Sequence, residues 1–294
     1  MATTEKKMPV TDKKMPPTEN KTRPPRPVKK ARTASSSAPK PAVKRPAPDA
    51  EAEPRPTGTT NKKKRKKLHL QEQDEADFDV EAGLNKAFER MDGQLLADHV
   101  AQKTTTFATD LSSVELADLY ISANAIKDTT SWQKPRNLEN LAEFLEEFSG
   151  DAKALGEAPK ANGSPHTIVV AGAGLRAAEL VRSLRKFQKK GNSVSKLFAK
   201  HIKMEEAVQF LTSHRTGIAV GTPLRLMDLL DNGALKVDSL KRIVIDASHI
   251  DQKKRGVMDM KDTMVPLAKW LARKEFKERY TDESEEKQVS LMFY

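Results

Sequence analysis

Apolar positions along the 294-residue chain fall into three regimes. Over residues 1–67 large apolar side chains are almost absent. From about residue 80 they return at helical spacing: Leu84, Phe88, Met91 and Leu95 predict one helix. A second helix is predicted to open at Ser112, with Glu115 completing a capping box ahead of Val114, Leu116, Leu119 and Tyr120. A third is predicted from about Leu138 to Phe148, with Leu141, Phe144, Leu145 and Phe148 on one stripe and Gly150 as its stop. These stripes read as packing surfaces, and residues 151–164 read as a loop.

From Thr167 onward the period changes. Short β-branched runs occur at Ile168-Val169-Val170, Val194 to Ala199, Gly217 to Val220, Ile243-Val244-Ile245 and Val289 to Phe293. Helical stretches lie between them, near 175–190, 204–213, 223–230 and 259–276. Strands alternating with helices predict an α/β fold, a doubly wound parallel sheet covered on both faces. Its ligands would bind outside the carboxyl ends of the strands. The domain reading is a basic Pro/Lys-rich tail over 1–75, expected to be disordered, a small helical segment over 76–150, and the α/β domain over 165–294.

Charge sharpens the first boundary. Residues 1–67 hold 20 Lys+Arg against 6 Asp+Glu and 12 of the 17 prolines, a balance of +14, while the rest carries 32 against 35. A chain of that composition cannot bury enough apolar surface to offset its ordering entropy. Its cations attract polyanions through counterion release. The run Lys62, Lys63, Lys64, Arg65, Lys66 and Lys67 reads as a nuclear or nucleolar import signal and an RNA contact. With no cysteine, disulfides and thiolate chemistry are excluded. No apolar run approaches the ~18–20 residues that span a bilayer, and the polar, lysine-rich start is unlike a secretory signal. A soluble chain acting inside the cell, with no membrane and no small-molecule substrate, is expected.

Three motifs fall at predicted strand ends. The first, Val169 to Ala177, runs through Gly172 and Gly174 into a helix beginning near Arg176. Its G-x-G-x-x-A pattern admits a dinucleotide site, either a Rossmann-type oxidoreductase or a nucleotide-binding switch. The confirming carboxylate is missing, because the next strand closes Lys196-Leu197-Phe198-Ala199-Lys200. Glycines that merely permit a tight turn, or amides that meet a phosphate backbone, are the other readings. In the second, Gly221-Thr222-Pro223-Leu224-Arg225, Thr222 is expected to cap a helix with Pro223 at its first position. In the third, Asp246-Ala247-Ser248-His249, a hydrophobic strand delivers Asp246 to the sheet edge. Asp246 reads as capping neighbouring amides, and a metal held with His249 and Asp251 is the other possibility.

In order and spacing these motifs resemble the first RecA-like domain of DEAD-box helicases. Val169–Leu184 lies where that family has P-T-R-E-L-A, Gly221 to Leu226 is similar to its T-P-G-R element, and Asp246 to His249 occupies the D-E-A-D position. The run Gln288 to Phe293 looks like the strand leading to S-A-T. The resemblance implies a RecA-like, P-loop-type topology without a P-loop. No G-x-x-x-x-G-K-[ST] occurs, Ala247 stands where the glutamate would be, and a second RecA-like domain is missing from this sequence. Phosphoryl transfer depends on those positioned groups, so no ATPase and no cofactor is expected. The T-P-G-R and P-T-R-E-L-A elements of that family face RNA, which implies RNA contacts at Gly172, Gly174, Arg176, Gly221, Thr222 and Arg225. Arg225 bonded to the domain's own loops is the other reading.

The whole pattern, with Ala173 to Leu180 and Thr130 to Arg136, resembles one narrower family, the U3-containing 90S pre-ribosomal complex subunits. That implies a non-catalytic factor of the small-subunit processome in the nucleolus, with pre-ribosomal RNA and assembly proteins as partners. A scaffold docking proteins through residues 80–150, anchored by Tyr120 and Trp132, is the plainer reading.

Overall fold

The computed structural model describes residues 77–284 and 286–294. The basic tail, including Lys62 to Lys67, lies outside the described residues. Five parallel strands form the central sheet: β3 (Thr167–Val170), β4 (Ser193–Leu197), β5 (Thr216–Gly221), β6 (Arg242–Ile245) and β7 (Ser290–Phe293). Their order is β4-β5-β3-β6-β7, so the chain starts at the centre, crosses to the β4 edge, returns to β5 and then passes over β3 to β6 and β7 on the other side. This is the doubly wound α/β sheet that the alternation of periods predicts.

The strands are near-continuous apolar runs because both faces are covered. Ile168, Val170, Ala219, Ile243 and Ile245 join one core cluster, while Val169, Ile218, Val220 and Val244 join the other. On the first face pack α1 (Gly93–Phe107), α5 (Met204–Ser213), α6 (Pro223–Asp231), α7 (Lys261–Leu271) and α8 (Lys274–Tyr280). The second face carries α3 (Leu141–Phe148) and α4 (Gly174–Ser183). A short helix α2 (Ser113–Asp118) has the predicted capping box at Ser112 and Glu115 but buries no side chain. No helix among the described residues is long and apolar enough to cross a membrane.

Several boundaries depart from the sequence pattern. The helix expected through Leu84 to Leu95 is three separate pieces: a strand β2 (Leu84–Asn85) antiparallel to β1 (Phe78–Asp79), a 3-10 turn over Lys86–Glu89, and α1. Caps explain the breaks, since Asn85 accepts from the Ala87 amide at 3.0 Å and Asp92 from the Leu95 amide at 2.8 Å. The buried face of α1 is then Leu96, Ala97, Val100 and Thr104, and Leu95 is exposed. The stretch 175–190 closes as a 3-10 turn over Leu184–Phe187, and 259–276 divides into α7 and α8.

Residues between β2 and α3 pass along the β7 edge. Ile126 forms a parallel bridge to Leu291, the Lys127 amide donates to the Leu291 carbonyl at 2.8 Å, and buried Arg136 donates to Phe293 and Thr129. Phe88 and Val100 thereby join the first core, and Trp132 and Phe144 the second. Trp132 is buried edge-on against Phe144, whereas Tyr120 is exposed.

Candidate nucleic-acid interface at the carboxyl edge of the sheet

The three predicted motifs converge because their strands are adjacent and in register. Val170 pairs with Gly221 on one side and with Ile245 on the other, so the turns that follow start level. The Ala171 amide donates to the Gly221 carbonyl and the Asp246 amide to the Val170 carbonyl, both at 2.9 Å. The order of strands reverses at β3, which is the place where doubly wound sheets bind ligands.

The glycines have packing reasons. A Cβ on Gly172 would come 3.1 Å from the Val257 Cα. On Gly221 it would stand 2.5 Å from the Leu197 carbonyl oxygen and 2.8 Å from Leu226 Cδ2. On Gly174 it would meet Lys200 Cβ at 3.1 Å, which brings exposed Lys200 beside the start of α4. The sequence pattern did not single out Lys200.

Arg176 turns inward from α4 and forms a forked pair with Asp246: Nε donates to Oδ2 at 2.8 Å and an Nη to Oδ1 at 2.9 Å. Arg176 is 7% exposed and Asp246 2%. Glu179 stands 3.7 Å from the guanidinium. Burial opposes the arginine's charge, but Asp246 and Glu179 outweigh it and hold its pKa above the ordinary value. Asp246 is therefore the partner of a buried cation, not the cap of neighbouring amides that its place in the sequence suggested. Asp251 in turn is held by Arg255 at 2.6 Å.

Ala247 is buried in the apolar cluster with Ile245 and Val257. Its amide and that of Ser248 donate to the Tyr294 carbonyl at 2.7 and 2.8 Å. His249 bridges to Leu84 on β2. Burial and the neighbouring Arg176 charge lower its pKa, against the pull of Asp246 and Glu179. What remains open is a cleft of about 230 Å³ between Gly172, Ala173, Asp246, His249 and Val257. That is smaller than the ~300–1,000 Å³ of typical small-molecule sites.

At the second turn, Thr222 holds the N-cap position of α6, but its side chain makes no capping bond. Arg225 is nearly buried and donates to the Ile202 carbonyl at 3.1 Å. The start of α4 likewise has no side-chain cap. Two helix N-termini with unclaimed amides thus stand on neighbouring strands, with Leu175 and Leu224 exposed beside them. Such amides donate to anionic oxygens. Both arginines, by contrast, spend donors inside the fold, an arrangement set by partners distant in sequence.

Residues 43–294 match the family model described as U3-containing 90S pre-ribosomal complex subunit, CMS1. Protein CMS1 of Chaetomium thermophilum is 68% identical over 219 residues, 74% of this chain and 86% of that one. Protein cms1 of Schizosaccharomyces pombe is 29% identical over 68% of this chain and 69% of its own length. Protein CMSS1 of Homo sapiens is 40% identical over 32% of this chain and 33% of its own. Among solved structures, the yeast DEAD-box splicing factor Prp28 aligns with a TM-score of 0.31 at 21% identity, over 44% of this chain and 28% of that chain. The DEAD-box helicase Mss116, bound to single-stranded RNA and UDP-BeF, aligns with a TM-score of 0.29 at 16% identity, over 52% and 28%. This chain spans less than a third of either helicase. With 252 of its 294 residues inside the family match, the chain belongs to the family of U3-containing 90S pre-ribosomal complex subunits.

Proposed function

We propose that the protein is a non-catalytic ribosome-biogenesis factor of the nucleolus. It engages pre-ribosomal RNA and assembly proteins during small-subunit rRNA maturation. Membership of the 90S subunit family supports the setting. One observation carries the non-catalytic reading, the forked Arg176–Asp246 pair. A carboxylate that must stay with a buried guanidinium is not free to hold a metal and nucleotide phosphates.

RNA contact is assigned to two places. The cations Lys62 to Lys67 supply sequence-independent attraction. At the sheet edge the backbone amides near Gly172 and Gly174, and those of Leu224 and Arg225 in the first turn of α6 after Gly221 and Thr222, meet phosphates, with Lys200 beside them. Arg176 and Arg225 hold these turns in place, and Arg225, which among the described residues spends one donor on the Ile202 carbonyl, is the one that also reaches RNA.

Calorimetry with ATP and Mg²⁺, together with single-stranded RNA binding across a salt series, tests the reading. No nucleotide heat is expected. Replacing the six cations of 62–67 with glutamine is expected to flatten the slope of log K against log salt by about 4, at ~0.7 per lost contact. Tight ATP binding would overturn the non-catalytic assignment. An unchanged slope would remove the tail from the RNA contact.

A further inference from the structure

The two edges of the sheet are not alike. β7 is covered by the bridge at Ile126 and by the Lys127 amide, whereas among the described residues β4 has β5 as its only neighbour. The Ser193 amide donates to the Arg215 carbonyl and the Leu197 carbonyl accepts from the Thr222 amide, so these two residues turn their backbone toward β5. A parallel ladder alternates, which leaves the N–H and C=O of Val194 and Lys196 directed to the open side.

A groove of about 800 Å³ runs along that open edge. Val181 and Arg185 wall it on one face of the sheet, Ala207 and Phe210 on the other, with Val194 and Lys196 at its floor. An added strand would lie between these walls and send alternate side chains to each. The surroundings are cationic. From Arg182 to Lys203 inclusive the sequence has eight lysines and arginines and no carboxylate, and Arg185 and Lys196 of these line the groove itself. Among the described residues only Lys186 of these meets an acid, Glu146 at 2.9 Å. The one carboxylate lining the groove, Glu206, is turned back onto the Lys203 amide at 3.2 Å.

We infer that the free edge of β4 is a docking site for an extended acidic segment of a partner protein, which adds to the sheet as a sixth strand. The unpaired backbone groups select a peptide, and the cations select its charge. A lysine on an edge strand also discourages indiscriminate pairing, which here becomes selectivity for an acidic strand. The site lies apart from the carboxyl-edge turns and does not depend on their contacting RNA.

The test uses the full chain and two fluorescein-labelled probes, a peptide of alternating Glu and Val and an oligouridylate. Binding is read by anisotropy and located by amide hydrogen exchange. In the free protein the Val194 and Lys196 amides are expected to exchange freely, and with the peptide to become protected. Lys196→Pro removes one outward N–H without touching the β5 ladder, a change edge strands tolerate. It is expected to weaken the peptide roughly tenfold, as for a lost hydrogen bond and charge. The Arg185→Glu, Lys196→Glu double variant keeps the N–H and is expected to abolish protection at both amides. Peptide binding that leaves these amides exchanging freely would place the peptide on the basic tail and overturn the proposal. So would undiminished affinity in a folded Lys196→Pro protein, or protection of the same amides by oligouridylate alone.

Discussion

Replacing Asp246 with alanine leaves the Arg176 guanidinium buried without its carboxylate. The pair is forked and both members are less than a tenth exposed. Removing one partner of such a pair costs about 3–5 kcal/mol, most of it the penalty of a stranded charge. Glu179, already 3.7 Å from the guanidinium, can swing closer and recover part of that, which sets the expectation at about 3 kcal/mol. For a folded region of this size the loss corresponds to roughly 6–12 °C in Tm. Replacing both partners with apolar residues, Arg176→Met with Asp246→Leu, is expected to recover most of the loss. The assay is thermal and urea unfolding of Asp246→Ala, of Arg176→Met and Asp246→Leu singly, and of the double. Equal and additive losses would refute the reasoning, as would an Asp246→Ala protein within about 2 °C of the wild type.

Three further outcomes follow from the geometry. Gly221→Ala forces a methyl against the Leu197 carbonyl and Leu226, and is expected to cost about 1–3 kcal/mol in urea unfolding. His166 is buried and its pKa falls to about 4, from burial first and the Arg242 charge second. The unfolded chain then binds more protons than the folded one between about pH 6.5 and 4, so stability falls as the solution is acidified through that window. The loss is on the order of 3 kcal/mol, and His166→Gln is expected to flatten the pH slope of unfolding there, while an unchanged slope would assign it to other groups. Trp132→Ala empties a site packed edge-on against Phe144 and is expected to cost about 3–5 kcal/mol by the same assay.

The parts of the fold legible in the sequence are those whose signal is local. The runs at Ile168, Ile218 and Ile243 are β-branched and doubly buried, so the strands and their alternation with helices show directly. Helices α5 and α6 start and stop within a residue or two of the predicted bounds. The stretch from Leu84 to Leu95 misled because its apolar spacing is helical while Asn85 and Asp92 each restart the chain. The site divided in the same way. Strand ends placed Gly172, Gly221 and Asp246 at one edge, since that follows from topology. The inward turn of Arg176 depends on Asp246, 70 residues away, and that of Arg225 on the Ile202 carbonyl. Nothing local to either arginine records those partners.

The measurement that bears most directly on the central claim is crosslinking of the intact protein to RNA inside purified 90S particles, mapped to residues. Crosslinks to pre-ribosomal RNA are expected within 62–67 and across the turns at 172–176 and 221–225. A particle-bound protein with no RNA crosslink in either place would contradict that claim.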